Sequence, residues 1–165
     1  MRQFAWIVAL IGLLGASAPA LAQNQAEIDT VLRGSKSCAN CNMFQAPFAY
    51  MELQGANFSG ARLIQASFTV TVLSNANLHG ANLSHADMFG TVLTNANLAN
   101  ANLTNANLTG SWLLRANLSN ANLTETTLSG ARMETTMGLS QIQLNQACGD
   151  ANTTLPAGLT IPRCN

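Results

Sequence analysis

Acid–base or nucleophilic chemistry in this chain would have to start from two histidines, seven carboxylates and four cysteines. His79 and His85 are the two imidazoles, and His85 stands two residues from Asp87, the one spacing that suggests an acid–base pair. An exposed His beside a single acid is far more often solvated surface than catalyst, because nothing orients it or excludes water. Glu52, Asp87, Glu125 and Glu134 are spread along the chain and offer neither a paired-carboxylate site nor a calcium cage. Cys38 and Cys41 have the C-x-x-C spacing of zinc knuckles and redox dithiols. Cys148 and Cys164 lie more than a hundred residues further on and do not repeat that spacing. No catalytic residue, metal site or cofactor is therefore expected, and an enzyme is not expected.

The elements that carry these residues follow from an internal repeat. From Cys41 the chain reads CNMFQ, APFAY, MELQG, ANFSG, and continues without a slip to ARMET at 131–135, nineteen units of five residues. Every central position from Met43 to Met133 is Leu, Phe or Met. Two residues earlier sits a small residue in nearly every unit, with Met51 the main exception. On an α-helix five residues advance by about 500°, so these apolar positions would never form a stripe. A straight strand has a side-chain period of two, and an odd repeat would send alternate Leu to opposite faces. One geometry satisfies both facts: the small residue and the Leu point inward, the residue between them points outward, and the last two residues turn a corner. With corners of about 90°, four units close a coil of twenty residues.

Units such as ANLTN, ANLTG and ADMFG match the A(D/N)LXX motif, and the array resembles the pentapeptide-repeat family over 41–135. The resemblance implies an all-β fold, a right-handed quadrilateral β-helix of about five coils. At roughly 4.8 Å per coil the column is a rod about 20–25 Å long.

Both flanks of the array read as caps for its unpaired strand edges. Residues 23–40 are expected to form a helical cap, with Asn24 and Glu27 as a capping box, Ile28, Val31 and Leu32 on one face and Gly34 as terminator. Residues 136–165 form the other cap, where Ser140 and Gln143 repeat the box, Leu139 and Leu144 supply a hydrophobic staple, and Gly149 closes the helix. Residues 1–22 read as a signal peptide: Arg2, an apolar core from Phe4 to Leu14, and the small-x-small site Ala20-Leu21-Ala22. The expected location is periplasmic or secreted, with no membrane insertion after cleavage. In such a compartment cysteines are oxidised. Along the rod the two ends are too far apart to bridge, so Cys38 pairs with Cys41 and Cys148 with Cys164, unless the tail folds back. The C-x-x-C opens a repeat rather than a strand-to-helix junction, which speaks against redox chemistry.

Charge excludes further classes. Charged residues are 8% of the chain against roughly 25% in average proteins, so no nucleic-acid footprint is expected. Some pentapeptide proteins protect gyrase by resembling duplex DNA in shape and charge. A near-neutral surface and an export signal separate this chain from them.

Residues twenty apart should stack into columns, and the four outward columns differ. Asn57, Asn77, Asn97 and Asn117 form one; Asn42, Arg62, Asn82, Asn102 and Asn122 another; Pro47, Ser67, Asp87, Asn107 and Thr127 a third. The fourth is Glu52, Val72, Val92, Trp112 and Arg132, apolar in its middle three members. Tyr50, Val70 and Phe89 fall on the corner leading into that face and Leu114 on the corner leaving it. Such a patch is larger than a monomer usually leaves bare. Three fates are open to it: cover by the chain's own helix or tail, self-association into a homodimer anchored by Trp112, or an unknown protein partner. The Asn columns read as structural ladders, with an envelope glycan as their alternative ligand. The function expected is a non-enzymatic structural or protein-interaction module of the bacterial cell envelope.

Overall fold

The computed structural model describes the backbone of residues 18–164 and the side chains from residue 24 onward. The expected signal-peptide core, Phe4 to Leu14, lies outside the described residues.

One unit shows why the pentad folds as it does. In 96–100, Ala96 and Leu98 are buried, Asn97 is half-buried between them, and Asn100 stands exposed at the corner. All five backbone N–H groups find partners. Asn97 donates to the Ala76 carbonyl in the coil below (2.9 Å), while Leu98 and Asn100 donate to Asn117 and Ser119 in the coil above (2.8 and 2.9 Å). Ala96 closes the preceding corner by donating to the Leu93 carbonyl (2.9 Å), as Ala101 of the next unit does to Leu98 (3.0 Å). The remaining N–H, that of Ala99, donates to the Asn97 side-chain oxygen (3.1 Å). This last bond explains the Asn/Asp preference at the outward position: a short side-chain acceptor satisfies the one amide the ladder cannot reach. The same bond recurs at Asn57, Asn77, Asn82, Asp87, Asn102, Asn107, Asn117 and Asn122.

From Gln45 to Gly130 the last residue of each unit sits at positive φ, as in Asn95 (59°), Asn100 (59°) and Gly110 (67°). That is the third-residue geometry of a type II turn, which suits Gly and Asn. Four corners close the coil, and parallel bridges pair Asn57 with Asn77, Asn97 and Asn117 in turn, each twenty residues apart. The result is a quadrilateral β-helix whose core is a column of fully buried Leu, Met and Phe. Phe48, Phe58 and Phe68 fill its first two coils, with ring centroids 5.4–6.4 Å apart. The inward small residues leave room for these side chains, since a second bulky residue per face would overpack the column.

The ladder begins at Ser37, which pairs with Asn57, so one further unit with Cys38 at its centre precedes the expected start at Cys41. Helix α1 (Ala18–Leu32) covers that end and buries Ile28 and Val31. Leu32 does not join them and is 41% exposed. The expected capping box is corrected as well. Asn24 and Glu27 lie inside α1 and cap the sheet instead. The Asn24 amide brackets Phe44, accepting from its N–H (3.1 Å) and donating to its carbonyl (3.4 Å), and Glu27 accepts from the Asn42 N–H (2.6 Å).

At the other end the capping box at Ser140 and Gln143 is present at the start of α2 (Gln141–Leu144). Gln143 also reaches down to the Leu118 and Ala121 carbonyls (2.8 and 2.9 Å), and Leu144 is fully buried. Gly149 does not close α2, whose C-cap is Asn145. It pairs with Arg163, and a Cβ there would lie 2.8 Å from the Thr153 hydroxyl and 3.1 Å from the Ile161 side chain, so glycine serves a close approach. The bridge spacing drifts from 20 at Asn117–Met137 to 21 at Thr127–Cys148 and 22 at Arg132–Thr154. The two disulfides join Cys38 to Cys41 and Cys148 to Cys164, with Cα atoms 5.4 and 4.8 Å apart, one at each end of the rod.

Candidate interaction face

The column Glu52, Val72, Val92, Trp112, Arg132 is a bridged ladder along one face. Its outward residues differ from those of the other faces, and so do its inward ones. Thr71, Thr91 and Ser111 occupy the small inward positions where most other units carry Ala, and all three are fully buried. Thr71 and Thr91 donate to the Phe48 and Phe68 carbonyls in the preceding coil (2.7 and 2.8 Å). Ser111 Oγ has no partner. Beside its buried Leu73, Leu93 and Leu113 this face thus carries a row of inward hydroxyls, and outside it an apolar column where the other faces are mostly polar. Val72, Val92 and Trp112 also lack the side-chain oxygen that elsewhere accepts from the amide two residues on.

Backbone strain marks the adjoining corner. Tyr50 (φ 64°) and Val70 (φ 54°) stand in the left-handed region that favours glycine, and a β-branched residue there is a genuine outlier. Higher on the same corner the residues are Gly90, Gly110 and Gly130. Tyr50 is 75% exposed, and Val70, Phe89 and Trp112 are 43–48% exposed. Val72, Val92 and Leu114 are half-buried between them. Tyr50, Val70, Phe89 and Trp112 stay exposed with the described parts of α1 and the tail in place, so full cover by the caps, the first of the three fates considered, is not what the described residues show. Charge brackets the patch. At one end the Arg132 guanidinium stacks 4.8 Å from the Trp112 ring centroid, and at the other Glu52 accepts from the Gln54 amide.

The residues that suggested chemistry are held apart. Asp87 accepts from Thr69 (2.8 Å), Asn107 (3.0 Å) and the Phe89 N–H (3.2 Å), while His85 is exposed at a corner. His79 contacts the Asn100 amide at 3.1 Å. Among the described residues no group of three or more His, Cys, Asp or Glu converges on a metal position. Glu134 has a lowered pKa, first because Thr154 donates to it at 2.5 Å. Asp150 is lowered first by the Gly130 N–H at 2.9 Å, with Asn152 and Thr153 also donating. Both carboxylates fasten the tail to the last coil. The Asn columns are internally bonded: in one, Arg62 donates to Asn42 (3.0 Å) and Asn102 to Asn82 (3.3 Å), while in the other Asn57, Asn77, Asn97 and Asn117 each accept from the amide two residues on.

Among the described residues the chain is a charge-poor, end-capped β-helical rod, the architecture of a solenoid repeat protein. The family model for pentapeptide repeats matches the chain in eight copies over 52–90, 73–110 and 101–136, together just over half of its length. The chain belongs to the pentapeptide-repeat family, whose members fold as right-handed quadrilateral β-helices and are in general non-enzymatic structural or interaction modules.

Similar solved structures include a pentapeptide repeat protein from the Arabidopsis thaliana thylakoid lumen, 34% identical over 56% of this chain and 61% of that one (TM-score 0.34). HetL of the cyanobacterium Nostoc sp. strain PCC 7120, involved in heterocyst differentiation regulation, is 26% identical over 74% of this chain and 58% of its own (TM-score 0.32). QnrB1, a plasmid-mediated fluoroquinolone resistance protein, is 18% identical over 70% of this chain and 58% of its own (TM-score 0.42). The chain thus spans about three fifths of the length of each. No curated protein sequence matches it.

Proposed function

We propose that this protein is a non-enzymatic protein-interaction scaffold of an exported, oxidising compartment, the bacterial periplasm or cell surface, and that the Val72–Val92–Trp112 face binds its partner. One observation carries the reading: the rod exposes a contiguous apolar column on a single face, bounded by opposite charges, while its other columns are mostly Asn and other polar residues. Exposed apolar area of this kind marks association sites in soluble proteins, with Trp the commonest anchor. Export is supported by Arg2, the apolar segment after it and the Ala20-Leu21-Ala22 site, and by the pairing of all four cysteines.

The test is site-specific photo-crosslinking in the native compartment. A crosslinker at position 112 is expected to give a discrete protein adduct that one at position 102, on the opposite face, does not. Equal adducts from both positions, or none from 112, would reject the reading.

A further inference from the structure

The face is complementary to itself when turned end over end. We infer that its partner is a second copy of this chain, docked antiparallel about a twofold axis that passes beside Val92. The inference rests on reading this face as an interaction surface. The column runs Glu52, Val72, Val92, Trp112, Arg132 in five successive coils. Reversed against itself it sets Glu52 opposite Arg132 of the second copy, the small Val72 opposite the large Trp112, and Val92 opposite its own equivalent. Because the arrangement is isologous, each off-axis contact occurs twice.

The corner beside the column obeys the same symmetry. Its bulky members occupy the first coils, Tyr50 and then Val70, and glycines occupy the last, Gly110 and then Gly130. Antiparallel docking lays Val70 against Gly110 and Tyr50 against Gly130, with Phe89 meeting its own equivalent on the axis. Beyond the Cα of Gly110 there is open space, with nothing within 4 Å of a would-be Cβ. Large residues thus face small ones along both rows. The strained φ of Tyr50 and Val70 places bulk at the one end of the corner where the second copy offers room. Parallel docking fails on the same residues, since it would oppose Glu52 to Glu52, Arg132 to Arg132 and Trp112 to Trp112.

Five coils make a face about 20 Å long, shorter than the side of about 28 Å that a square patch of roughly 800 Å² per partner, the standard interface, would have. The dimer is therefore expected to exchange with monomer at micromolar concentration rather than to be permanent.

The experiment is sedimentation equilibrium on the oxidised protein recovered from an exporting host, from low micromolar to about 1 mM. Glu52→Arg and Arg132→Glu each turn two attractive pairs into two repulsive ones and are expected to weaken dimerisation roughly tenfold or more. The double exchange, E52R with R132E, restores the pairs and is expected to recover the wild-type constant. Position gives a second readout. Val92→Cys is expected to join its own equivalent with a short bismaleimide, whereas Gln54→Cys, about 19 Å from its equivalent in the antiparallel dimer, is expected not to. Circular dichroism shows that each variant is folded. A wild type that stays monomeric to the highest concentration overturns the second copy as partner. So does a dimer that the double exchange fails to restore. If that monomer still captures a different protein through position 112, the interaction face stands and only its occupant was wrong.

Discussion

Glu27 in α1 accepts a hydrogen bond from the Asn42 backbone N–H at 2.6 Å, across the first exposed edge of the β-helix. Asn24, one helical turn earlier, does the same for Phe44 at 3.1 Å. An open edge of parallel strands presents unpaired amides, and these two side chains occupy the positions that a preceding coil would fill. Replacing both by Ala is expected to destabilise the protein by about 1–3 kcal/mol, since charged acceptors are worth more than neutral ones. Thermal unfolding of Asn24→Ala with Glu27→Ala measures it. A melting temperature equal to wild type would show that water replaces the cap at no cost.

The inward hydroxyls of the apolar face give a signed pair. Ser111 Oγ is buried without a partner, whereas Thr91 Oγ1 donates to the Phe68 carbonyl at 2.8 Å. Ser111→Ala is expected to be neutral or to stabilise by up to about 1 kcal/mol, and Thr91→Ala to cost about 1 kcal/mol or more. Chemical denaturation of the two single variants decides it, and a loss on Ser111→Ala as large as that on Thr91→Ala would contradict the assignment.

Val70 at φ 54° is a β-branched residue in a conformation that suits Asn or Gly. Left-handed backbone costs such a residue about 1–2 kcal/mol. Val70→Asn is expected to return about 1 kcal/mol of that and raise the melting temperature by roughly 2–8 °C. A lower melting temperature for the monomer would mean that Val70 packs well enough to outweigh its strain.

The acid response should concentrate at the tail. Asp150 and Glu134 both have lowered pKa values through hydrogen bonds that hold residues beyond Asp150 to the last coil. A depressed carboxylate contributes stability that is present above its unfolded value, about 3.9 for Asp and 4.3 for Glu, and is lost as pH falls through the lower folded value. The tail is thus expected to stay clamped at neutral and mildly acidic pH and to loosen only in stronger acid. In an NMR titration the Gly130 amide resonance should move with a midpoint below the ordinary Asp value, and Asp150→Asn should abolish the movement. A midpoint at or above the ordinary value would contradict the clamp.

The rod was legible because a period of five admits neither helix nor straight strand, and because Leu103 or Leu118 has one side on which to be buried. The caps were legible only as caps. Asn24 and Glu27 have the spacing of a helix N-terminus, but in the full chain α1 starts at Ala18, with Pro19 in its first turn and Ala20, Leu21 and Ala22 as apolar residues behind it, so the same two side chains bond the sheet edge instead of the helix start. Gly149 follows α2 at a distance that suggests a terminator, and only the packing of Thr153 and Ile161 reveals its use. The apolar column was readable by counting in twenties. Its exposure was not, since that depends on where α1 and the tail lie. The hydroxyl row Thr71, Thr91, Ser111 was present in the sequence as departures from Ala, a signal that becomes meaningful once inward and outward positions are assigned.

The drift of the bridge spacing from 20 to 22 at the C-terminal end acts as punctuation. A sequence that repeats every twenty residues contains no instruction for how many storeys to build, because each coil offers the next an identical landing. Once Cys148 and Thr154 fall out of step by one and then two residues, no further coil can lie in register, and growth halts in that direction. The length of the rod is thereby decoupled from its repeat. Copying one interior coil, such as 76–95, would add a storey without disturbing either terminus, whereas removing the out-of-step segment would leave a landing open to any passing strand.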